Sequence, residues 1–272
     1  MSRISDAFQR LRSENRRAFI PYITAGDPDL RLTRELVFEM EMAGAKIIEL
    51  GIPFSDPLAD GPTIQEASQK ALRAGTTLEK ILSTVEEIRR ASDVPIALMT
   101  YYNPIFRVGI SNFLQQAVDA GVDGIIVPDL PPEEGEELRR TAERIGIDTI
   151  FLLAPTSTAE RIRLVAEAST GFIYCVSVTG VTGAREKLSG QVRELVARVR
   201  RHTNKPLGVG FGISTPDQAA EVARWADGVI VGSAIIKVIR KYEGTPELVP
   251  RVGEFVKSLV AAMGNIQTEA RG

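Results

Sequence analysis

Short apolar runs recur along the whole chain at intervals that suit alternating strands and helices. Successive runs begin 22 to 49 residues apart, so each gap has room for a crossover helix. The runs lack the in-out alternation of half-exposed strands, which is typical of strands buried on both faces of a parallel sheet. There are eight: AFIPYIT, KIIELGI, PIALMTY, DGIIVPD, DTIFLLA, GFIYCVS, PLGVGFG and DGVIVGS.

The segments between these runs carry helical signals. A capping box at Thr76 and Glu79 precedes an apolar stripe with helical spacing. Glycines stand just before three of the runs, where a left-handed residue ends a helix and returns the chain to the sheet. The stripe is Leu78, Ile81, Leu82, Val85 and Ile88, and the glycines are Gly44, Gly121 and Gly146.

Eight such units within 272 residues predict an α/β fold, a (β/α)8 TIM barrel, with an open doubly wound sheet as the alternative. The pattern adds an extra helix before the first strand and extra helices after strands 2 and 8. A capping box at Thr63 and Glu66 marks the start of the helix after strand 2. Since no linker interrupts the repeat, we expect residues 1–272 to form a single domain.

The composition of the chain excludes several classes of function. The 33 lysines and arginines nearly balance 35 aspartates and glutamates, and without a basic patch we expect no nucleic-acid partner. With Cys175 as the only cysteine and His202 as the only histidine, an internal disulfide and a Cys/His metal cluster are excluded. His202 falls near the end of the helix before the seventh strand, on the opposite face of the predicted barrel, so we expect no Ser-His-Asp triad. No run approaches the ~20 apolar residues of a membrane span. The sequence predicts a cytoplasmic protein without membrane association and without a metal.

The stretch ELGIPFSDPLADGP places acids directly after the second strand. Surplus length after a barrel strand lies at its carboxyl end, where active sites are built. Glu49 lies among apolar strand residues, so at the barrel mouth its raised pKa favours proton donation near neutrality. The alternative for Glu49 is a structural carboxylate that binds backbone amides. For Asp56 and Asp60 it is ordinary turn chemistry.

The last two strands each run into glycine and then a hydroxyl residue at a helix start, which favours phosphate binding at Gly212, Gly232 and Ser233. Simple tight turns are the alternative. The glycine-rich segment 177–190 is predicted to be a mobile lid. Residues at the carboxyl ends of four strands are predicted to line an apolar pocket, although each singly also suits a core: Tyr22, Met99, Tyr174 and Phe211.

Several motifs together resemble the tryptophan synthase alpha subunit family over nearly the whole chain: PYITAGDP, ELGIPFSDPLADGPTIQ, VPDLPPEE, SVTGVTGAR and GFGIS. The resemblance implies retro-aldol cleavage of indole-3-glycerol phosphate to indole and glyceraldehyde 3-phosphate. It makes Glu49 the catalytic acid/base and Asp60 the partner of the indole N–H. It also places Gly183 in a phosphate loop and Thr182 in the closing loop beside Asp60. Tyr22 and Pro128 stand where phenylalanine and alanine are common in the family.

The resemblance also implies a partner, a beta subunit that binds pyridoxal phosphate and receives indole, in an alpha2-beta2 heterotetramer. This chain itself then needs no cofactor. Docking residues are expected at the catalytic rim: Pro53, Asp56, Pro131 and Pro132.

The predicted chemistry needs neither a Schiff-base lysine nor a metal, because an indole ring protonated at C3 accepts the electrons of the breaking bond. Lys46 and Lys205 precede their strands, at the wrong end of the barrel. Two other functions stay open at this point: a different phosphate-handling barrel such as a sugar-phosphate isomerase, and a non-catalytic barrel subunit.

Overall fold

The computed structural model describes residues 2–176, 185–210 and 212–264. Within them, nine parallel strand segments form one sheet in the order β5-β4-β3-β2-β1-β9-β8-β7-β6. The segments are β1 Ala18–Thr24, β2 Ile48–Gly51, β3 Ile96–Met99, β4 Gly124–Ile126, β5 Asp148–Ile150, β6 Leu152–Leu153, β7 Ile173–Val176, β8 Leu207–Gly210 and β9 Gly228–Val231.

The two outermost segments of this order belong to one predicted strand. β5 and β6 are separated in the chain by Phe151 alone, yet β5 pairs with β4 and β6 pairs with β7. The interrupted strand therefore joins both ends of the sheet, which curls into a nearly closed barrel. The predicted TIM barrel is confirmed, and the open doubly wound sheet is not.

Twelve helices surround the strands in the described part of the chain. They are α1 Arg3–Ser13, α2 Leu30–Met42, α3 Pro62–Arg73, α4 Leu78–Arg89, α5 Tyr102–Val108, α6 Ile110–Asp119, α7 Glu136–Ile145, α8 Ala159–Ala168, α9 Arg185–Arg200, α10 Pro216–Ala223, α11 Ser233–Tyr242 and α12 Leu248–Gly264. The predicted extra helices are α1, α3 after strand 2, and α11, the first of the two helices that follow β9, since α12 packs between α10 and α2 in the outer ring. The sequence did not predict the short helix α5, which Gly109 (φ 87°) separates from α6.

Both predicted capping boxes are wrong. The helix α3 begins at Pro62 after Gly61, without a side-chain cap, so Thr63 lies within its first turn. The helix α4 is capped by Thr77, whose hydroxyl accepts a hydrogen bond from the Lys80 N–H. Thr76 instead packs against Gly26, where an added Cβ would lie 2.1 Å from its Oγ1. Local spacing alone did not distinguish a capping hydroxyl from one that packs.

The predicted helix ends are correct. Gly44, Gly121 and Gly146 have φ angles of 112°, 93° and 82°, a region that favours glycine. Each returns the chain toward the base of the barrel, where the next strand begins.

The helix α1 closes the base of the barrel. Its Ile4, Phe8 and Leu11 are buried in one apolar cluster with strand residues of the barrel interior. The rings of Phe8 and Phe172 lie 5.7 Å apart. Because the base is closed, the mouth that remains is the end where the strands finish.

We expect Phe8→Ala to destabilise the fold by about 3 to 5 kcal/mol, because it leaves a cavity between α1 and the barrel. Phe106→Ala is the matched control, since its ring is 69% exposed, and it should change stability by less than about 1 kcal/mol. Urea unfolding of both variants measures the difference, and equal losses would contradict the role of α1 as a plug.

Candidate active site

Glu49 lies inside the barrel because the side chains of a strand alternate between its faces. Its neighbours Ile48 and Leu50 pack outward in the cluster beneath the helices, while Ile47 packs into the interior cluster. Glu49 pairs in register with Tyr22 of β1 and is fully buried. The side chain of Glu49 therefore points into the barrel, as the sequence predicted.

The carboxyl group of Glu49 is buried, and its contacts with the described residues do not fully offset the loss of its hydration. Neither oxygen has a hydrogen-bond partner among the described residues. Burial raises the pKa of Glu49 to about 8, the negative charge of Asp60 adds to the rise, and the nearby Tyr174 hydroxyl offsets part of it without a hydrogen bond of ordinary geometry. The group is therefore protonated at neutral pH and able to donate a proton.

Asp60 lies in the loop between β2 and α3 and is held by an aromatic side chain. The Tyr101 hydroxyl donates to Asp60 Oδ2 at 3.1 Å and accepts from the Ala59 N–H at 2.9 Å. The Tyr101 ring stacks on Phe54 with centroids 5.2 Å apart. The carboxylate thus bonds across to Tyr101 rather than back to its own turn.

Burial raises the pKa of Asp60 to about 6, and the hydrogen bond from Tyr101 opposes the rise. With Glu49 at about 8, the two acids lose their protons in a defined order. At pH 7 the site holds a protonated Glu49 and an ionised Asp60, which is one proton donor and one negative charge in the same mouth.

Tyr22 and Tyr174 form aromatic walls that depend on glycines in neighbouring strands or directly after them. A Cβ added to Gly51 would lie 2.1 Å from the Tyr22 hydroxyl, and one added to Gly232 would lie 3.1 Å from its ring. A Cβ on Gly210 would lie 3.0 Å from the Tyr174 hydroxyl. The absence of side chains at these positions leaves the space that both rings occupy.

Apolar side chains complete the wall around Tyr22. It clusters with Ala67 and Ile64 of α3 and with Ile236 of α11, and Met99 packs against the same group. Three of the four predicted pocket residues, Tyr22, Met99 and Tyr174, thus meet at the mouth, while Phe211 lies outside the described residues.

The predicted phosphate site lies at the start of α11. Gly232 is the N-cap and Ser233 the first helical residue, and no side chain caps the helix. Its first backbone N–H groups therefore suit an anion. Gly212 is exposed in the left-handed region, with φ 64°. Thr182, Gly183 and the predicted lid around them lie outside the described residues.

The residue that sequence reasoning missed is Tyr101. It lies two residues after β3, at the end of the apolar run PIALMTY, so its position near a strand end was a signal. Its contact with Asp60 joins residues 41 positions apart, and no local pattern predicts such a contact.

Other chemistry is limited in the described part of the chain. No three His, Cys, Asp or Glu side chains there lie close enough together to hold a metal ion, and no helix is long and apolar enough to cross a membrane. Cys175 is buried and its pKa is raised to about 12 by burial, which suits packing rather than nucleophilic attack. The Lys205 ammonium group donates to the carbonyl oxygens of Ala166 and Ser169, away from the mouth.

The predicted docking residues differ in exposure. Asp56 is exposed, Pro131 and Pro132 are half-buried, and Pro53 is buried. Pro53 therefore stiffens the loop without presenting a surface of its own. The neighbouring Leu58 is 93% exposed, which makes the tip of this loop both acidic and apolar.

The family model described as tryptophan synthase alpha chain matches residues 8–263. The chain belongs to the tryptophan synthase alpha chain family. It is 54% identical over 263 residues to the tryptophan synthase alpha chain of Geotalea uraniireducens, covering 97% of this chain and 98% of that one. The alpha chain of Geobacter sulfurreducens is 53% identical over 265 residues, 97% of this chain and 100% of that one.

Solved structures agree with this assignment. The crystal structure of tryptophan synthase subunit alpha from Legionella pneumophila matches with a TM-score of 0.91 and 39% identity, covering 98% of this chain and all of that one. The expected family, barrel and lyase class are therefore confirmed. Nothing supports a sugar-phosphate isomerase or a non-catalytic subunit.

The buried Glu49 should make stability depend on pH. Its ordinary pKa is 4.5 and its folded value about 8, so between these values the folded chain keeps a proton that the unfolded chain loses. The contribution of Glu49 to the free energy of unfolding is therefore highest below pH 4.5. It falls as the pH rises towards 8, by up to about 1.4 kcal/mol per pH unit. Glu49→Gln should therefore gain stability relative to the wild type from pH 5 to 8.

Urea unfolding at several pH values tests this expectation. Glu254→Gln, whose side chain is 66% exposed, is the control and should follow the wild-type pH dependence. A difference between Glu49→Gln and the wild type that stays constant across pH would mean that Glu49 is ionised in the folded chain.

Proposed function

We propose that this chain cleaves indole-3-glycerol phosphate to indole and glyceraldehyde 3-phosphate, the alpha reaction of tryptophan synthase. The carrying observation is the Glu49 carboxyl group, fully buried, without a hydrogen-bond partner among the described residues and with a pKa of about 8. A buried carboxyl group without a hydrogen-bond partner does not stabilise the fold. Its presence at the barrel mouth therefore supports a catalytic role.

In the proposed mechanism Glu49 donates its proton to C3 of the indole ring, and positive charge develops on the ring nitrogen. The ionised Asp60, held by Tyr101, stabilises that charge. The bond between C3 and the glycerol chain then breaks, and its electrons return to the ring. The hydroxyl proton of the cleaved carbon passes to the Glu49 carboxylate as the aldehyde forms, which restores the starting acid.

In this proposal the indole ring binds at one end of the mouth and the phosphate group at the other. Tyr22, Met99 and Tyr174 contact the ring. At the other end the phosphate accepts hydrogen bonds from the start of α11 at Gly232 and Ser233, with Gly212 of the neighbouring loop close to it. Thr182, Gly183 and Phe211 remain proposed contacts from the family resemblance.

The proposed partner is a tryptophan synthase beta subunit in an alpha2-beta2 heterotetramer in the cytoplasm. The alpha chain needs no cofactor, and pyridoxal phosphate belongs to the beta subunit. The exposed Asp56 and Leu58 lie on the same loop as Asp60. A partner that contacts this loop therefore acts on the active site as well as receiving its product.

We expect Glu49→Gln to lower turnover at least about 100-fold, because an amide cannot supply the proton. Asp60→Asn should also lower turnover, because a neutral amide stabilises the charged ring less well. The measurement is indole release from indole-3-glycerol phosphate, with and without a beta subunit. Glu254→Gln serves as the control and should keep wild-type turnover. Undiminished turnover in Glu49→Gln would refute the mechanism.

Asp56→Lys should weaken association with a cognate beta subunit and reduce activation, while basal cleavage by the free chain is largely kept. Asp119→Lys reverses an exposed charge at the end of α6, on the opposite face of the barrel, and should leave association unchanged. Analytical ultracentrifugation and steady-state kinetics report the two effects. If both variants bind alike, the partner docks without help from Asp56.

A further inference from the structure

Two adjacent helices carry opposite ends of the proposed substrate site. The helix α3 begins two residues after Asp60, and α11 begins at the proposed phosphate site. Between them, Ile64 and Ala67 of α3 pack with Ile236 of α11 against Tyr22. The distance between the two helices therefore affects the distance between the ring site and the phosphate site.

Arg240 joins the two helices near the start of α3. Its Nη2 donates to the Thr63 carbonyl oxygen at 2.7 Å, and its Nη1 pairs with Glu66. A guanidinium group holds two acceptors in a fixed planar geometry, unlike the point charge of a lysine. Arg240 thus links α11 to the first turn of α3, only three residues from Asp60.

Lys70 makes a second connection further along α3. Its ammonium group lies 3.3 Å from Asp27 Oδ1 and pairs with Glu243, at the end of α11. Asp27 is only 2% exposed. The positive charges of Lys70 and Arg240 both lower the pKa of Asp27, against the rise that burial causes. The buried Asp27 carboxylate therefore lies within electrostatic reach of both cations.

We propose that Arg240 is a positioning residue that sets the span between Asp60 and the phosphate-binding start of α11. The substrate that fits this span has three carbons between the indole ring and the phosphate. The inference rests on the proposed function, which places the indole ring near Asp60 and the phosphate at the start of α11. Arg240 touches no reacting atom and acts through the placement of α3.

Arg240 is a better test than Lys70. Replacing Lys70 leaves the buried Asp27 without its ion-pair partner, which destabilises a fold by itself. The partners of Arg240 are a backbone carbonyl and Glu66, which is 65% exposed. A methionine at position 240 keeps the unbranched stem and removes only the charged group.

The experiment measures how ligand length affects binding to the full chain. Indole-3-propyl phosphate, indole-3-butyl phosphate and inorganic phosphate are titrated calorimetrically into the wild type, Arg240→Met and Arg34→Met. Arg34 is the matched control, because it pairs with Glu87 between α2 and α4, another pair of neighbouring helices, and these carry none of the proposed site residues.

We expect the wild type and Arg34→Met to prefer the propyl compound by about tenfold, as a site of fixed span discriminates one extra methylene. In Arg240→Met this preference should fall to about threefold or less, with inorganic phosphate affinity within about twofold of the wild type. Arg240→Lys should lie between the two, and it replaces the methionine variant if that variant fails to fold.

An unchanged preference in a folded Arg240→Met would overturn the proposal, as would an equal loss of preference in Arg34→Met. An indole assay on the wild type separates this outcome from a failure of the proposed function. If the wild type releases indole while its length preference ignores Arg240, only the positioning role is wrong.

Discussion

The site depends on one unfavourable burial, that of the Glu49 carboxyl group inside the barrel. An ionised carboxylate without partners is so costly in an apolar interior that the group keeps its proton instead. The strand cannot avoid this cost, because a shift of one residue would bring Ile48 and Leu50 inside and turn Ile47 outward. The hydrophobic packing of β2 under the helices thus holds the acid in place.

The space around that acid results from an uneven distribution of side-chain size among the strands. Large rings on β1 and β7 face glycines on β2, on β8 and at the start of α11, where an added Cβ would lie within 3.1 Å of Tyr22 or Tyr174. Deeper in the barrel, Phe172 leans over Gly208 in the same way, and α1 closes the base. The result is an interior that is filled below and has aromatic walls at the mouth.

The sequence predicted those features that follow from periodicity or from a glycine requirement. The strands, the closed barrel, the inward Glu49 and three helix ends of left-handed conformation all belong to this class. The sequence-based prediction was wrong where two adjacent residues could serve the same role. Thr77, and not Thr76, caps α4. The prediction also missed features that depend on distant contacts, such as Tyr101 under Asp60 and the interruption of a strand at Phe151.

The position of the loop after β2 affects the order in which Glu49 and Asp60 ionise. The charge of Asp60 helps raise the pKa of Glu49, so the acid depends on where the loop after β2 places that carboxylate. Tyr101, stacked on Phe54, holds Asp60 in this position. The tip of the same loop exposes Asp56 and Leu58, so only a short stretch of chain separates the protein surface from the carboxylate that acts on the buried acid. The fully buried strand β2 thus holds the acid, while the loop that follows it holds the negative charge that helps to raise the pKa of that acid.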